Sequence, residues 1–461
     1  MNLKFLPIVS SISVGAGLAW IAAFASPRAT SAPAASGAWT ASVQHVIFIS
    51  CDGLRGDFLE SLIANRPATY PNFKRLKDEG AFTFQARTDY DFSETIPDHS
   101  CMLTGRPALD PAGQPPGTGH GFIWNTTTEV TDPTSTIHQP KSTTVIPYAY
   151  KSSVFDVVHE ANLSTAFFHS KERMAFFDRS YNDTHGAVGA PGVANPARDK
   201  IDRATGTVTG STSGASAMTD FTTDLTTNPL ATYTFLHFVD PDKTGHAHVT
   251  GWALSVPPAG LTAWETAVKS SDTALGSLFA WLDNHPAEKA TTTIILTSDH
   301  GGGSPLRNHV DEVKRENYTI PFFIHGPGFK GGRDAYEYFS NRSHPGTSRI
   351  ADTVANPPIR NGDAANLSLT LLGLPCVPDS FFKPQLINPD STTLLTITAN
   401  QDHTLAVKWP LSATSYILQT TLSLDAGPWV PVTTSITSAN GMNIHTTDSS
   451  PGKAFFRLKK I

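Results

Sequence analysis

The chain has 461 residues, too many for one compact hydrophobic core, so more than one domain is expected. A net charge of −6 with 16% charged residues leaves no basic surface, which excludes a stable nucleic-acid complex while leaving nucleotides open as substrates. Three cysteines, an odd number, exclude a disulfide framework.

Lys4 precedes a mostly apolar stretch from Phe5 to Ala25, and Ala23-Phe24-Ala25 offers small residues for cleavage before Ser26. Residues 1–25 therefore read as a secretory signal and 26–42 as a linker, which predicts a secreted or periplasmic protein. Left uncleaved, the stretch is long enough to anchor the chain; no later segment is, so no membrane span is expected after signal removal.

From residue 43, apolar strand runs alternate with helical segments at 72–79, 152–161 and 261–284, an α/β pattern. The fold expected over 43–388 is a mostly parallel central sheet flanked by helices. The first strand, His45-Val46-Ile47-Phe48-Ile49-Ser50, delivers Asp52 to its carboxyl end, where ligands of such sheets sit. In Ser93-Glu94-Thr95-Ile96-Pro97-Asp98-His99, Pro97 points to a helix opening at Thr95, whose N-terminus favours an anion; a plain helix N-cap is the competing role for Thr95. Residues 108–118 read as an inserted loop before Gly119-His120-Gly121-Phe122-Ile123-Trp124-Asn125. After the short run Thr165-Ala166-Phe167-Phe168, Lys171-Glu172-Arg173 reads as a solvated charged face, which leaves Lys171 outside the expected site. Residues 182–228, rich in Gly, Ala, Ser and Thr, read as an insertion covering the active-site edge.

A strand over 232–239 runs into Asp240-Pro241-Asp242-Lys243-Thr244-Gly245-His246, where Asp242 and His246 share one face of a helix opened by Pro241. Another strand ends in Asp299-His300 followed by three glycines, and Asn308-His309 precedes the run 318–324. The segment 359–375 reads as a closing helix with a Gly stop and a following Pro. From 389 to 461, six short runs with strand composition predict a small all-β sandwich module. Three strand ends carrying Asp, with a downstream His, supply hard O and N ligands enough for two divalent metals.

Together these segments resemble the alkaline phosphatase superfamily, most closely its nucleotide pyrophosphatase/phosphodiesterase branch, over about residues 43–375. The nucleophile element resembles the family's Lys-Thr-Phe-Pro-Asn-His, with Glu94 and Asp98 departing from Lys and Asn. The resemblance implies two divalent metal ions, usually zinc, one held by Asp242, His246 and His309 and the other by Asp52, Asp299 and His300, with the Thr95 oxygen reaching the metals. It also implies Thr95 as the attacking nucleophile, through a covalent phospho-threonine, and Asn125 as a donor to a phosphoryl oxygen; an Asn holding a turn is the competing role. His99 and His120 are placed as supports around the nucleophile, His325 and His344 outside the site.

The implied activity is hydrolysis of a small phosphodiester or pyrophosphate substrate, nucleotide-like or simpler. Phosphomonoester hydrolysis at the same site is the nearest alternative, but such enzymes usually add an Arg, and none lies beside Thr95 in the sequence. A sulfatase needs Cys or Ser where Thr95 stands, because Thr cannot yield the aldehyde. A non-catalytic secreted surface-binding protein is the third alternative. The C-terminal module is of a kind that binds polymers, cell surfaces or nothing, and its role stays open.

Overall fold

The computed structural model describes residues 41–141, 149–389, 395–400, 404–411, 413, 416–422, 428–439, 442–448 and 454–460. The expected signal and nearly all of the linker lie outside the described residues. The strands of the large sheet are β1 (His45–Cys51), β2 (Ala81–Arg87), β3 (Thr165–His169), β4 (Arg203–Gly206), β5 (Tyr233–Phe238), β6 (Thr292–Thr297), β7 (Thr319–His325) and β8 (Arg333–Asp334). They form one sheet in the order β4-β3-β5-β1-β6-β7-β2-β8. Five neighbours from β4 to β6 are mutually parallel, and β7 runs antiparallel to both β6 and β2. The sheet is mostly parallel, as the run composition predicts.

Burial on both faces explains the unbroken apolar character of these strands. Along β1, Val46 and Phe48 enter one core with Phe235 and Ile295, while Ile47 and Ile49 enter the other with Leu236 and Leu296. That division is the two-residue alternation of a strand. The helix Ala263–Asn284 covers the second face with buried Trp264, Val268, Leu275, Leu278 and Leu282, and a Thr262–Glu265 capping box opens it. On the first face lies the helix Asp363–Leu371. It ends on Gly373 at φ +71°, where Leu374 N–H bonds Leu369 O and Gly373 N–H bonds Thr370 O, so the Gly stop closes the last turn.

The second half of the stretch 182–228 is built into this layered core. Arg203–Gly206 is the edge strand β4, paired in parallel with β3, and Gly214–Asp224 is a helix burying Ala217, Met218 and Phe221. The strands after residue 395 form two separate antiparallel sheets, of four and three strands, with Val407, Trp409 and Leu418 buried among them. No helix among the described residues is long and apolar enough to cross a membrane.

Parallel strand direction is what assembles the site. The carboxyl ends of β1, β3, β5 and β6 fall on one edge, so Asp52, Lys171, Asp242 and Asp299, far apart in sequence, follow four neighbouring strands.

Candidate metal and phosphoryl site

Close approach of the β1 and β5 ends comes first. Asp242 N–H donates to Asp52 O at 3.0 Å, and a Cβ on Gly53 would lie 2.8 Å from the Asp242 Cα. Gly53 also has φ +71°, so only glycine fits without strain. Its N–H donates to Asp299 Oδ1 at 3.0 Å, and His300 N–H to the same oxygen at 2.9 Å, which turns Oδ2 inward.

Three imidazoles are fixed by backbone carbonyls. The Nδ1–H of His246 donates to Arg307 O at 2.9 Å, that of His300 to Gly301 O at 2.9 Å, and that of His309 to Ser93 O at 2.5 Å. A carbonyl only accepts, so each Nε2 carries a lone pair into the site, as in a metal-ligating histidine. The first set gathers His246 Nε2 at 3.1 Å and His309 Nε2 at 3.7 Å from Asp242 Oδ1. In the second set, His300 Nε2 lies 3.3 Å from Asp299 Oδ2 and 3.4 Å from Asp52 Oδ1. His300 is also close enough to Asp242 and His309 to serve the first set, its donor atom lying within 4.8 Å of theirs.

These groups fit divalent cations. With both rings neutral, as ligands are, the Nε2 lone pairs of His246 and His309 face each other at 3.1 Å, an arrangement that a cation between them relieves. Asp52 Oδ1, Asp242 Oδ1, Asp299 Oδ2 and His300 Nε2 are all buried and have no hydrogen-bond partner, which would be costly unless a metal takes them up. Burial and the neighbouring Asp52 push the Asp299 carboxyl well above its ordinary value. Burial pushes His300 down, and burial with His300 pushes His309 well down, keeping both neutral as ligands must be. For His246, burial pushes down but Asp242 outweighs it and leaves the ring raised.

Thr95 opens the helix Thr95–Thr104, as its spacing to Pro97 predicts. His99, one turn on, donates Nδ1–H to Thr95 O at 2.6 Å while Nε2 accepts from Ser50 Oγ at 2.8 Å, so it steadies Thr95 from behind. Asn125 Oδ1 accepts from Ile96 N–H at 3.2 Å, and its side-chain amide also hydrogen-bonds the Glu94 carboxyl. His120 contacts Cys101 Sγ at 3.4 Å, His325 pairs with Glu79, and His344 accepts from Gly346 N–H. Every residue expected at the site converges on it, the six donors as well as Thr95 and Asn125.

Two further residues join them. Lys171 is not on a solvated face: its side chain is 11% exposed and Nζ donates to Asp52 Oδ2 at 2.8 Å, Asp242 Oδ2 at 2.8 Å and Thr95 Oγ1 at 3.1 Å. Burial pushes this ammonium down, but Asp242 and Asp52 outweigh it and hold it charged. In return, against the upward push of burial, Lys171 and His237 hold Asp52 well below its ordinary value. An arginine also lies near Thr95, contrary to the sequence expectation: Arg173 lines the same cavity and donates Nη1 to Asn125 O at 2.8 Å. His237, within β5, puts Nε2 3.3 Å from Asp52 Oδ2. The cavity, of about 370 Å³, is lined by Thr95, Asn125, Lys171, Arg173, His246 and His309, with Ser211 and Val310 at its sides.

Several solved structures are similar. A protein in the alkaline phosphatase superfamily from Vibrio parahaemolyticus is 14% identical over 86% of this chain and 84% of its own, at a TM-score of 0.44. An inactive variant of murine ectonucleotide pyrophosphatase/phosphodiesterase 5 in complex with AMP is 14% identical over 73% and 96%, at 0.43. The lipoteichoic acid synthase LtaP from Listeria monocytogenes is 13% identical over 79% and 84%, at 0.45. No curated protein matches the chain. The family profile described as Type I phosphodiesterase / nucleotide pyrophosphatase matches residues 46–316, well over half of the chain, which therefore belongs to that family.

Proposed function

We propose that the protein is a metal-dependent hydrolase of phosphoric esters that cleaves phosphodiester or pyrophosphate bonds through a covalent phospho-threonine. The observation that carries this reading is the Thr95 hydroxyl on the cavity wall, at a helix N-terminus and beside two sets of inward-facing carboxylate and imidazole donors. Asp242, His246 and His309 would hold one divalent cation and Asp52, Asp299 and His300 the other, zinc being the expected metal. Such cations, when bound, supply positive charge at the attacking and leaving oxygens.

The chain's own groups prepare the attack. Lys171 donates to Thr95 Oγ1 and favours its ionised form, making a poor nucleophile effective. Thr95 Oγ, its proton released to solvent, then bonds to phosphorus as the ester bond on the far side breaks and the leaving oxygen takes a proton from solvent. The Asn125 amide nitrogen donates to a non-bridging oxygen as charge develops there. Water next displaces Thr95 and releases the phosphoryl product. Threonine at this position argues against sulfatase chemistry. Phosphomonoester hydrolysis is the second reading, favoured by the guanidinium of Arg173 in the cavity.

The test is a comparison of initial rates of the zinc- or manganese-loaded protein on bis-p-nitrophenyl phosphate, p-nitrophenyl phosphate and p-nitrophenyl sulfate. The diester should turn over fastest, and faster turnover of the monoester would overturn that choice. Thr95→Ala should keep its metal content by elemental analysis while losing several orders of magnitude in rate. Asn125→Ala should lose roughly 10²–10³ in rate, the usual worth of such a donor. A Thr95→Ala protein with near-normal turnover would sink the covalent step.

A further inference from the structure

The two residues that flank Thr95 both reach the Asn125 side chain. Ile96, after it, donates its N–H to Asn125 Oδ1 at 3.2 Å, and Glu94, before it, accepts from the Asn125 amide with its carboxyl. Glu94 can serve this contact because its main chain is held elsewhere. Its N–H donates to Asp98 Oδ2 at 2.9 Å, its O accepts from Asp98 N–H at 3.0 Å, and its half-buried side chain caps no N–H of the helix. Asn125 in turn needs anchoring, since it lies outside every helix and strand among the described residues. Arg173 Nη1 meets its main-chain oxygen at 2.8 Å, and the same guanidinium acts on the Glu94 carboxyl. Burial pushes that carboxyl above its ordinary value, while Asn125 and Arg173 pull it back.

An amide nitrogen carries two N–H donors. With Oδ1 on Ile96 and one N–H on Glu94, the amide plane is fixed and the second N–H is left for the cavity that Asn125 lines together with Thr95. We infer that Glu94 is a positioning residue that holds the Asn125 amide by one N–H, so that the other meets a non-bridging oxygen of the phosphoryl group attacked by Thr95. This inference rests on the reading of the site as a phosphoric ester hydrolase. Lysine, which the family's Lys-Thr-Phe-Pro-Asn-His element carries at this place, has no acceptor and could not make the contact. In this chain the attacking oxygen and the donor opposite it are therefore tied through adjacent residues of one turn. The negative charge that Glu94 brings near an anionic substrate is offset by Arg173.

The experiment uses the full chain loaded with zinc, as wild type, Glu94→Ala, Glu94→Gln, Glu94→Lys, Asn125→Ala and the double variant Glu94→Ala with Asn125→Ala. Rates are measured on bis-p-nitrophenyl phosphate and metal content by elemental analysis. Solvent exchange of the Asn125 side-chain N–H is followed by NMR on asparagine-labelled protein, its signals being those that Asn125→Ala removes. In Glu94→Ala, kcat should fall roughly 10-fold, the usual worth of a hydrogen bond to a charged group, with KM little changed and metal content kept. The Asn125 N–H should exchange faster in the same variant. Glu94→Gln should recover most of both losses, because its Oε1 still accepts. Glu94→Lys should be as slow as Glu94→Ala, although its charge suits a phosphate better. On the Asn125→Ala background, Glu94→Ala should cost less than about 2-fold, since the group it positions is gone. A Glu94→Lys or Glu94→Gln protein faster than wild type would make Glu94 an electrostatic filter and overturn the inference. An equal cost of Glu94→Ala with and without Asn125, or a fall in metal content alongside the rate, overturns it too. Should Glu94→Ala fail to fold, Glu94→Gln against Glu94→Lys carries the same comparison. If the wild type cleaved no phosphoric ester, the reading of the site would fail; Asn125 N–H exchange unaltered by loss of the Glu94 carboxyl is what would defeat the role of Glu94.

Discussion

Asp98 stands where the family's nucleophile element carries Asn, and its surroundings explain the carboxylate. Its two oxygens accept from the Thr88 hydroxyl, from Asp89 N–H at 2.9 Å, from Glu94 N–H at 2.9 Å and from Asn361 Nδ2 at 2.8 Å. All four of these partners are donors and suit an accepting group, while burial and the neighbouring Asp89 push the carboxyl well above its ordinary value. Asn361 continues to Asp299 O at 3.0 Å, so Asp98 ties the start of the helix that Thr95 opens to the loop that carries a proposed metal ligand. Asp98→Asn would turn an NH₂ against one of these donors in a fully buried place. The expected result is a loss of about 1–3 kcal/mol in stability by denaturant titration. The rate should fall by up to about 10²-fold, because the nucleophile and Asp299 would no longer be held in register. A variant with wild-type stability and rate would show that the network is idle.

At the scale of elements, the approach of two strand ends sets the distance between the two donor sets. Gly53→Ala should be more damaging than its size suggests, since the added methyl meets the Asp242 backbone at 2.8 Å and φ is +71°. Metal content by elemental analysis and rate should fall together, whereas Thr95→Ala lowers the rate alone. Unchanged metal content in Gly53→Ala would mean that the two ends tolerate separation. Much of this arrangement is legible in the sequence, because Asp52, Asp242 and Asp299 each close an apolar run, and β-branched runs buried on both faces announce a parallel sheet. Lys171 and Arg173 are not legible there as residues of the cavity. Lys-Glu-Arg looks like a solvated face, and its burial depends on pairing with Gly210 and Ser211, some 40 residues away, inside a stretch whose composition reads as an insertion. The edge strand β4 escapes for the same reason: Arg203-Ala204-Thr205-Gly206 has no apolar alternation of its own and is a strand only because β3 offers it an edge. His237 is the penultimate residue of β5, inside the apolar run, where period alone cannot separate a buried support from a core position.

For the whole molecule, the question is how stability and chemistry divide between the large sheet and the C-terminal strands. Six carboxylate and imidazole groups crowd one edge, and Lys171 offsets only part of their charge. Removal of bound metal should therefore abolish activity and lower the melting temperature without unfolding the chain at room temperature, and zinc should restore both. Every proposed ligand precedes residue 310, the helix closing the large sheet ends at Leu371, and among the described residues the strands after 395 pair only within their own two sheets. A chain stopping near residue 388 should consequently fold, keep its rate on a small soluble ester within a few-fold, and show the same drop in melting temperature on chelation as the full chain. Equal drops would assign the metal-linked stability to the large sheet. A shortened chain that failed to fold, or whose melting no longer responded to chelation, would show instead that the C-terminal strands brace the edge on which the site is built.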